Sequence, residues 1–446
     1  MEQARPNILQ PNILQPNILY IHSHDTGRYI QPYGHALPTP HLQRLAEQGV
    51  LFRQAFSVSS TCSPSRAALL TGQSPHSAGM LGLAHRGFSL YDYQQHLANA
   101  LRPAGYSSLL LGMQHEARDP ALLGYDEIVE VASADTKDVV PRAVQLLKNG
   151  LPQPCFLSIG FSETHRPFHE PFSTQDEKYI LPPAPLPDTP EVRRDMAAFK
   201  ASVQKLDEAI GAVLAALEES NLAEHTLVIC TTDHGLAFPR MKCNLTDHGI
   251  GVMLLMRGPG GFCGGKVCDA LVSHIDIYPT LCELLHVPRP EWVQGRSLLP
   301  LIREEREQIN EAIFAEVNYH AAYEPQRAVR TQRWKYIRYF DTHHRRPILA
   351  NCDDSPTKDL LMRSGWGEAT RRDEELYDLL FDPNEACNRI DDPELSTIAD
   401  AMRQRLMQWM QATHDPLLRG AIPLPAGALV NSPDQISPDE PMQYRK

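Results

Sequence analysis

No stretch of this chain approaches the roughly 18 consecutive apolar residues that would span a bilayer. The N-terminus also lacks a basic region followed by an apolar run and a small-residue cleavage site. These absences predict no membrane partner and a soluble, cytoplasmic protein. An excess of positive charge is missing too. The formal net charge is -12, which argues against a nucleic-acid partner, because a nucleic-acid footprint is basic. An anionic substrate would therefore need a locally positive pocket. Paired cysteine spacing is the third absence. The nine cysteines are scattered and read as reduced residues in a reducing compartment. Cys263 and Cys268 lie close together in a Gly-rich loop, but no companion pair follows at zinc-finger spacing, so no zinc site is expected there.

What is present is a long chain with ample core material. It has 446 residues, 42% of them hydrophobic; domains average roughly 150 residues. Residues 6–20 repeat PNILQ-PNILQ-PNILY. With Pro opening each copy, three strands at a five-residue period are not expected. The last copy, 17–21, reads as the first core strand and runs into His22-Ser23-His24-Asp25. Further strands are expected at 50–56, 107–111, 156–161, 226–231 and 252–256. Helices are expected at 42–48, 92–104, 135–148, 197–219 and 274–285. The five prolines of 181–190 mark a surface loop. Strands alternating with helices, with polar clusters at strand C-terminal ends, predict an α/β fold with a large central, mostly parallel sheet flanked by helices. After about residue 320 the pattern changes to a hairpin (327–331 and 334–340), a short strand (375–379) and an amphipathic helix (395–413). This predicts three parts: an α/β domain over 1–325, a smaller C-terminal α+β domain with an antiparallel sheet over 326–420, and an extended tail over 421–446.

The densest local pattern is Thr61-Cys62-Ser63-Pro64-Ser65-Arg66, followed by Ala67-Ala68-Leu69-Leu70-Thr71-Gly72. Pro64 suits a first helical turn, and Thr61 or Ser63 can cap it. Residues 66–70 are helix formers, and Gly72 can end the segment. A side chain at such an N-terminus meets unpaired backbone N–H groups that favour an anion. Arg66 can add a charged fork. The plain alternative is a buried, unreactive cysteine before a helix.

Two further clusters follow core strands: Asp25 with His24, and Asp233 with His234. A lone aspartate there is more often a cap, but two such clusters beside the Cys62 segment favour a hard divalent cation held by carboxylates. Taken together, residues 16 to 417 resemble the formylglycine-dependent sulfatases of the alkaline-phosphatase superfamily, in particular N-sulfoglucosamine-sulfohydrolase-like and bacterial arylsulfatase-like members. The resemblance rests on CSPSR…LLTG, on PNILYIHSHDTG, on TTDHG at 231–235, on FPRMK at 238–242, and on the C-terminal segments RAVRTQRWK and ELYDLLFDPNE.

The resemblance implies that a formylglycine-generating enzyme converts Cys62 to formylglycine, whose hydrate attacks sulfur. It implies a divalent cation, calcium by family habit, held by His24, Asp25, Cys62, Asp233 and His234. His24 stands where the family usually has an aspartate. Imidazole is a poor calcium ligand, which leaves room for manganese. Lys242 corresponds to a lysine delivered to the substrate sulfate. His115, in LGMQHE, corresponds to a histidine that orients or deprotonates the hydrate. Met113 replaces the usual lysine of that segment, so Arg66 would carry more charge, and Glu116 is a weaker candidate. His165, in FSETHRPF, corresponds to the leaving-group acid, a role that suits histidine near neutral pH. Arg166 and His248 are substrate-binding candidates. The implied substrate is an anionic sulfated small molecule or saccharide carrying a sulfate ester or sulfamate. A homo-oligomer is compatible with the family. Two rivals remain: a phosphodiesterase or phosphonate monoester hydrolase on the same scaffold, and a non-catalytic carbohydrate-binding relative.

Overall fold

The computed structural model of the chain describes residues 15–442, except for the side chain of Gln175. The reading of the first two PNILQ copies falls on residues up to 14, outside the described ones.

The large sheet has eight strands: β1 (Asn17–Ser23), β2 (Val50–Phe56), β3 (Ser107–Gly112), β4 (Glu127–Val129), β5 (Cys155–Gly160), β6 (Thr226–Thr232), β7 (Leu254–Arg257) and β8 (Lys266–Ser273). Their order is β4-β3-β5-β1-β6-β7-β2-β8. β7 runs antiparallel to β6 and β2, and the other pairings are parallel. This is the mostly parallel α/β sheet read from the sequence. β1 is buried along its whole length, as a parallel strand covered on both faces should be. Its side chains alternate between two cores. Leu19 and Ile21 pack under the helices Pro40–Gln48, Thr136–Asn149 and Pro190–Glu219. Ile18 and Tyr20 face the other layer, with Leu69, Leu70, Ile277 and Leu281.

Three expectations shift in detail. The helix placed at 197–219 begins at Pro190, because Thr189 caps it by accepting a hydrogen bond from the Val192 N–H, with proline at the first helical position. The helix expected at 92–104 breaks into a 3-10 turn, Leu97–Leu101 and a second 3-10 turn. His96 interrupts it: its backbone is extended, and its ring accepts from the Ala98 N–H. At Thr61 the expected cap position is right but no side-chain cap forms. The Thr61 hydroxyl pairs with Ser59, and that of Ser63 accepts from the Ala84 N–H. Gly72 ends the helix Cys62–Thr71 in the left-handed conformation, with φ 69°.

The second sheet is antiparallel, in the order β12-β11-β10-β9. It comprises β9 (Ile313–Tyr319), β10 (Tyr323–Arg330), β11 (Trp334–Tyr339) and β12 (Glu374–Asp378). β9 and the start of β10 thus precede residue 326. The helix Ser396–Ala412 covers this sheet. The tail beyond 420 runs over the molecule, held by Leu429 N–H to Arg86 O and Asn431 N–H to Ala321 O, both at hydrogen-bond distance.

β3, β5, β1 and β6 lie side by side, so the residues that follow them emerge at one edge of the sheet, the usual ligand crevice of open α/β folds. β1 and β6 are in register, Ser23 opposite Thr232. His24-Asp25 and Asp233-His234 therefore leave the sheet as neighbours.

Candidate active site

Five side chains expected to hold a cation converge. Single ligand atoms of His24, Asp25, Cys62, Asp233 and His234 all lie within 4.8 Å of one another, and every one of these residues is buried. Asp25 reaches its place through a left-handed backbone, φ 56°, which a non-glycine residue adopts at a cost. The strained turn is held by the Asp25 N–H donating to Asp233 Oδ1 at 2.8 Å. His24 Nδ1 lies 2.9 Å from Asp25 Oδ1 and 3.1 Å from Asp233 Oδ2. His234 Nε2 is 3.2 Å from Asp25 Oδ1 and 3.5 Å from Cys62 Sγ. Two carboxylates and two imidazoles are a sound donor set for a divalent cation.

The charges around this cluster are compensated. Burial opposes the ionised form of Asp25, yet Lys242, His24 and His234 hold its carboxyl well below the usual range. Burial likewise opposes ionisation of Asp233, and the Arg66 guanidinium overrides it. Burial lowers His24 to about 4, so its ring is neutral and free to ligate. Burial pushes the Cys62 thiol well above its ordinary value.

Arg66 is nearly fully buried, and its fork is occupied. It donates to His22 Nδ1 at 2.6 Å, Ser23 O at 2.7 Å and Asp233 Oδ2 at 3.0 Å. Only Nε lacks a partner among the described residues. Arg66 thus braces the aspartate instead of presenting an open fork. Lys242 Nζ donates to Asp25 Oδ2 at 2.9 Å and to Asp353 Oδ2 at 3.0 Å, and sits 3.4 Å from His165 Nε2. His165 Nδ1 donates to Arg166 O at 2.6 Å, which leaves Nε2 facing the lysine. The His165 side chain is 39% exposed, so it stands at the mouth. His115 comes in from the end of β3. Its Nε2 is 2.8 Å from His85 Nδ1, and its Nδ1 is buried without a partner among the described residues. The His24 ring centroid is 4.5 Å from that of His165 and 6.1 Å from that of His115. Glu116 is buried and accepts from the His115 N–H at 2.9 Å.

Arg166 and His248 are the two candidates not brought to this cluster. The Arg166 guanidinium is bound bidentately by Asp195, at 2.7 and 2.8 Å, and donates to Ala237 O at 2.8 Å. It also stacks on Phe168 at 4.1 Å. These contacts shape the wall and leave no free fork for a ligand. His248 Nδ1 lies 2.6 Å from the Tyr29 hydroxyl, beside a different depression lined by His35 and Ile180. Sequence reasoning missed Asp353, His85 and His22. Asp353 lies 111 residues from Lys242 in sequence, in a segment without a pattern. His85 is one exposed residue of a short 3-10 turn. His22 was visible as part of a polar cluster, but not as the acceptor for Arg66.

Comparison with known proteins agrees with this arrangement. A family model described as "Sulfatase" matches residues 16–287, and one described as "N-sulphoglucosamine sulphohydrolase, C-terminal" matches residues 235–358. The human N-sulphoglucosamine sulphohydrolase is 31% identical over 85% of this chain and 87% of its own length. An ulvan-active sulfatase of Formosa agariphila is 28% identical over 92% of this chain and 76% of its own length. Among solved structures, a 2-O GAG sulfatase superposes with a TM-score of 0.70 at 22% identity, covering 91% of this chain and 94% of that one. A phosphonate monoester hydrolase from Silicibacter pomeroyi superposes with a TM-score of 0.66 at 19% identity, covering 91% and 97%. These two likenesses show the fold. The family match over more than half the chain, the human relative and the convergent His/Asp cluster together lead to one conclusion: the chain belongs to the sulfatase family and is a hydrolase of that family.

Proposed function

We propose that this protein hydrolyses the sulfate ester or sulfamate of a sulfated saccharide, with Cys62 matured to formylglycine and a divalent cation held by His24, Asp25, Asp233 and His234. The observation that carries the reading is the juxtaposition of the five-residue cluster with the Lys242–His165 pair. When present, the formylglycine hydrate supplies the nucleophile and the cation polarises the sulfuryl oxygens. The remaining work belongs to this chain's own residues. Lys242, kept protonated by Asp25 and Asp353 against the pull of burial, neutralises charge growing on a sulfuryl oxygen. His165, whose Nδ1 donates to Arg166 O, turns Nε2 toward Lys242 at the mouth and is the group placed to relay a proton to the leaving oxygen or nitrogen. His115 Nδ1 takes a proton from the group at position 62. The loop 238–242 and the likeness to the human N-sulphoglucosamine sulphohydrolase support an aminosugar sulfate or sulfamate. The free state of all nine cysteines supports a reducing, cytoplasmic setting. For the described residues, no helix is long and apolar enough to cross a membrane.

The likeness to a phosphonate monoester hydrolase keeps one rival in view, since the two chemistries share this fold. Matched aryl sulfate and aryl phosphate esters separate them: the sulfatase reading requires the larger kcat/KM on the sulfate. The nucleophile is tested by the mass of the tryptic peptide 54–66, from protein made with a competent maturation enzyme. An aldehyde mass at position 62 is expected, and an unmodified cysteine would sink the mechanism. The cation is tested by thermal unfolding after chelation. Re-adding a cation at ~100 times its Kd should raise stability by about 2.7 kcal/mol. At equal concentrations of the two ions, the two imidazoles predict a larger rise with manganese than with calcium. No rise with either ion would favour a non-catalytic relative.

A further inference from the structure

We propose that His85 is the proton outlet of the reacting centre: it takes, through His115, the proton released at position 62 and hands it to water. This deepens the sulfatase reading and rests on it. The chemistry calls for such an outlet. At neutral pH a sulfate ester and water give an alcohol, a sulfate dianion and one proton, so each turnover must export a proton from a buried site. His115 Nδ1 is buried and has no partner among the described residues. It can receive a proton but is a poor place to keep one. Burial holds the His115 ring well below its ordinary value, because a charged imidazole is penalised away from water.

The geometry supplies the exit. His115 Nε2 lies 2.8 Å from His85 Nδ1. The two ring planes differ by only 9°, with centroids 5.0 Å apart. An N···N distance that short is incompatible with parallel rings in face contact, so the rings meet edge to edge and share one hydrogen between them. A neutral imidazole carries one N–H and one lone pair, and the hydrogen bond at one nitrogen sets which state the other has. With Nε2–H donated to His85, His115 keeps its lone pair at Nδ1. Contacts on both sides fix this pair. The Ala84 N–H donates to Ser63 Oγ at 3.0 Å, next to Cys62 in the chain. The buried Arg86 donates to Asn431 Oδ1 at 2.6 Å and to Ala321 O at 3.2 Å. His85, held between these two anchors, is itself exposed. Partial burial and the Arg86 charge lower it, so a proton that arrives there passes readily to water. The relay balances. The oxygen at position 62 loses its proton to His115 Nδ1 and keeps the electron pair, which forms C=O as the C–O bond to sulfate breaks and its pair leaves with sulfate. The Nε2 proton of His115 passes to His85 Nδ1, and the Nε2 proton of His85 passes to water. One proton enters the pair and one leaves it. Exchange with water between turnovers resets both rings.

The test follows an aryl sulfate, whose phenol departs when sulfur is attacked, before sulfate itself leaves. In His85→Ala the phenol should appear as a burst of about one per enzyme, followed by turnover slowed about a hundredfold. Added imidazole should speed the slow phase and leave the burst unchanged. Glutamine can accept the His115 hydrogen bond but cannot pass a proton on, so His85→Gln should be as slow as His85→Ala. Full turnover in His85→Gln would show that His85 only orients His115 and would overturn the relay. Full turnover in His85→Ala would overturn it as well, with the sulfatase reading intact, whereas a wild type without turnover would remove that reading. The hydrogen bond is read without turnover, by nitrogen NMR of histidine-labelled protein with Cys62 unmodified, the His115 signals being those lost in His115→Gln. His115 should carry its proton on Nε2 and its lone pair on Nδ1. The opposite tautomer would reject the relay whatever the activity.

Discussion

Lys242 can stay charged in a buried place because two carboxylates face it, and only one of them, Asp25, belongs to a recognisable motif. Asp353 is the other, at 3.0 Å, and its own carboxyl is held at about 2 because Lys242 outweighs the cost of burial. Asp353→Asn should keep the fold yet lower kcat on an aryl sulfate by about tenfold to a hundredfold, or ~1.4 to 2.7 kcal/mol of transition-state stabilisation. An unchanged kcat would remove Asp353 from the site. A second buried carboxyl gives a pH signature instead of a catalytic one. Asp276 accepts from Ser273 N–H, Arg296 N–H and Asn310 Nδ2, yet burial still raises it from 3.8 to about 6. The folded protein therefore binds this proton more tightly than the unfolded chain. The contribution of Asp276 to stability is fullest below about pH 4 and is lost as pH rises through about 6. Denaturant unfolding of the wild type and Asp276→Asn should show the wild-type advantage shrinking by at most about 3 kcal/mol between these limits. A constant difference would show that Asp276 does not titrate there.

At the scale of elements, strand ends position the chemistry, and the turn after β6 shows how tightly. The Gly235 N–H donates to Gly249 O at 2.8 Å, and a Cβ on Gly235 would lie 1.9 Å from the His248 carbonyl oxygen. No flexible side chain can yield there, so the Asp233-His234 turn must move. Gly235→Ala should thus reduce the cation-induced rise in melting temperature. Thr189→Ala, which removes a helix cap far from the cluster, should cost about 1 kcal/mol of stability and leave that rise intact. If both variants behave alike, the turn does not govern the cation site. The strands that carry this geometry were legible because they are continuous apolar runs ending in polar clusters. β4, β8 and β9 were not. β4 is three residues long, with two exposed. The first half of β8 is largely exposed and interrupts its apolar residues with Lys266 and Asp269, as befits an edge. β9 holds Glu316 and Asn318 in its interior, and both are buried. A carboxylate in a buried strand reads as a loop until its partner is known.

That partner belongs to the scale of the whole molecule. Arg327 on β10 is fully buried. It binds Asp415 through Nε at 2.6 Å and Nη2 at 2.9 Å, with Glu316 Oε2 at 3.6 Å from Nε. Glu316 also pairs with His76, from the short helix Pro75–Ala78 that follows the Cys62 helix. The network therefore joins the catalytic layer, the antiparallel sheet and the segment beyond the helix Ser396–Ala412. In sequence, Arg327 looked like one charge of a fold-marking hairpin. What could not be read was that residues 76, 316, 327 and 415 meet, since no local period links them; the Cys62, Asp25 and Asp233 segments, by contrast, announce themselves within a few residues each. Removing Arg327 would leave two carboxylates buried with a single imidazole between them. Breaking a buried pair from one side costs about 3–5 kcal/mol, much of it the penalty of the stranded charge. Arg327→Ala should show that loss in denaturant unfolding. Arg327→Ala/Asp415→Ala should recover part of it, because the second substitution removes a stranded carboxylate. The coupling measured by the cycle should exceed about 1 kcal/mol. Additive effects of the two substitutions would mean that Arg327 and Asp415 act independently and that packing alone holds the second sheet against the first.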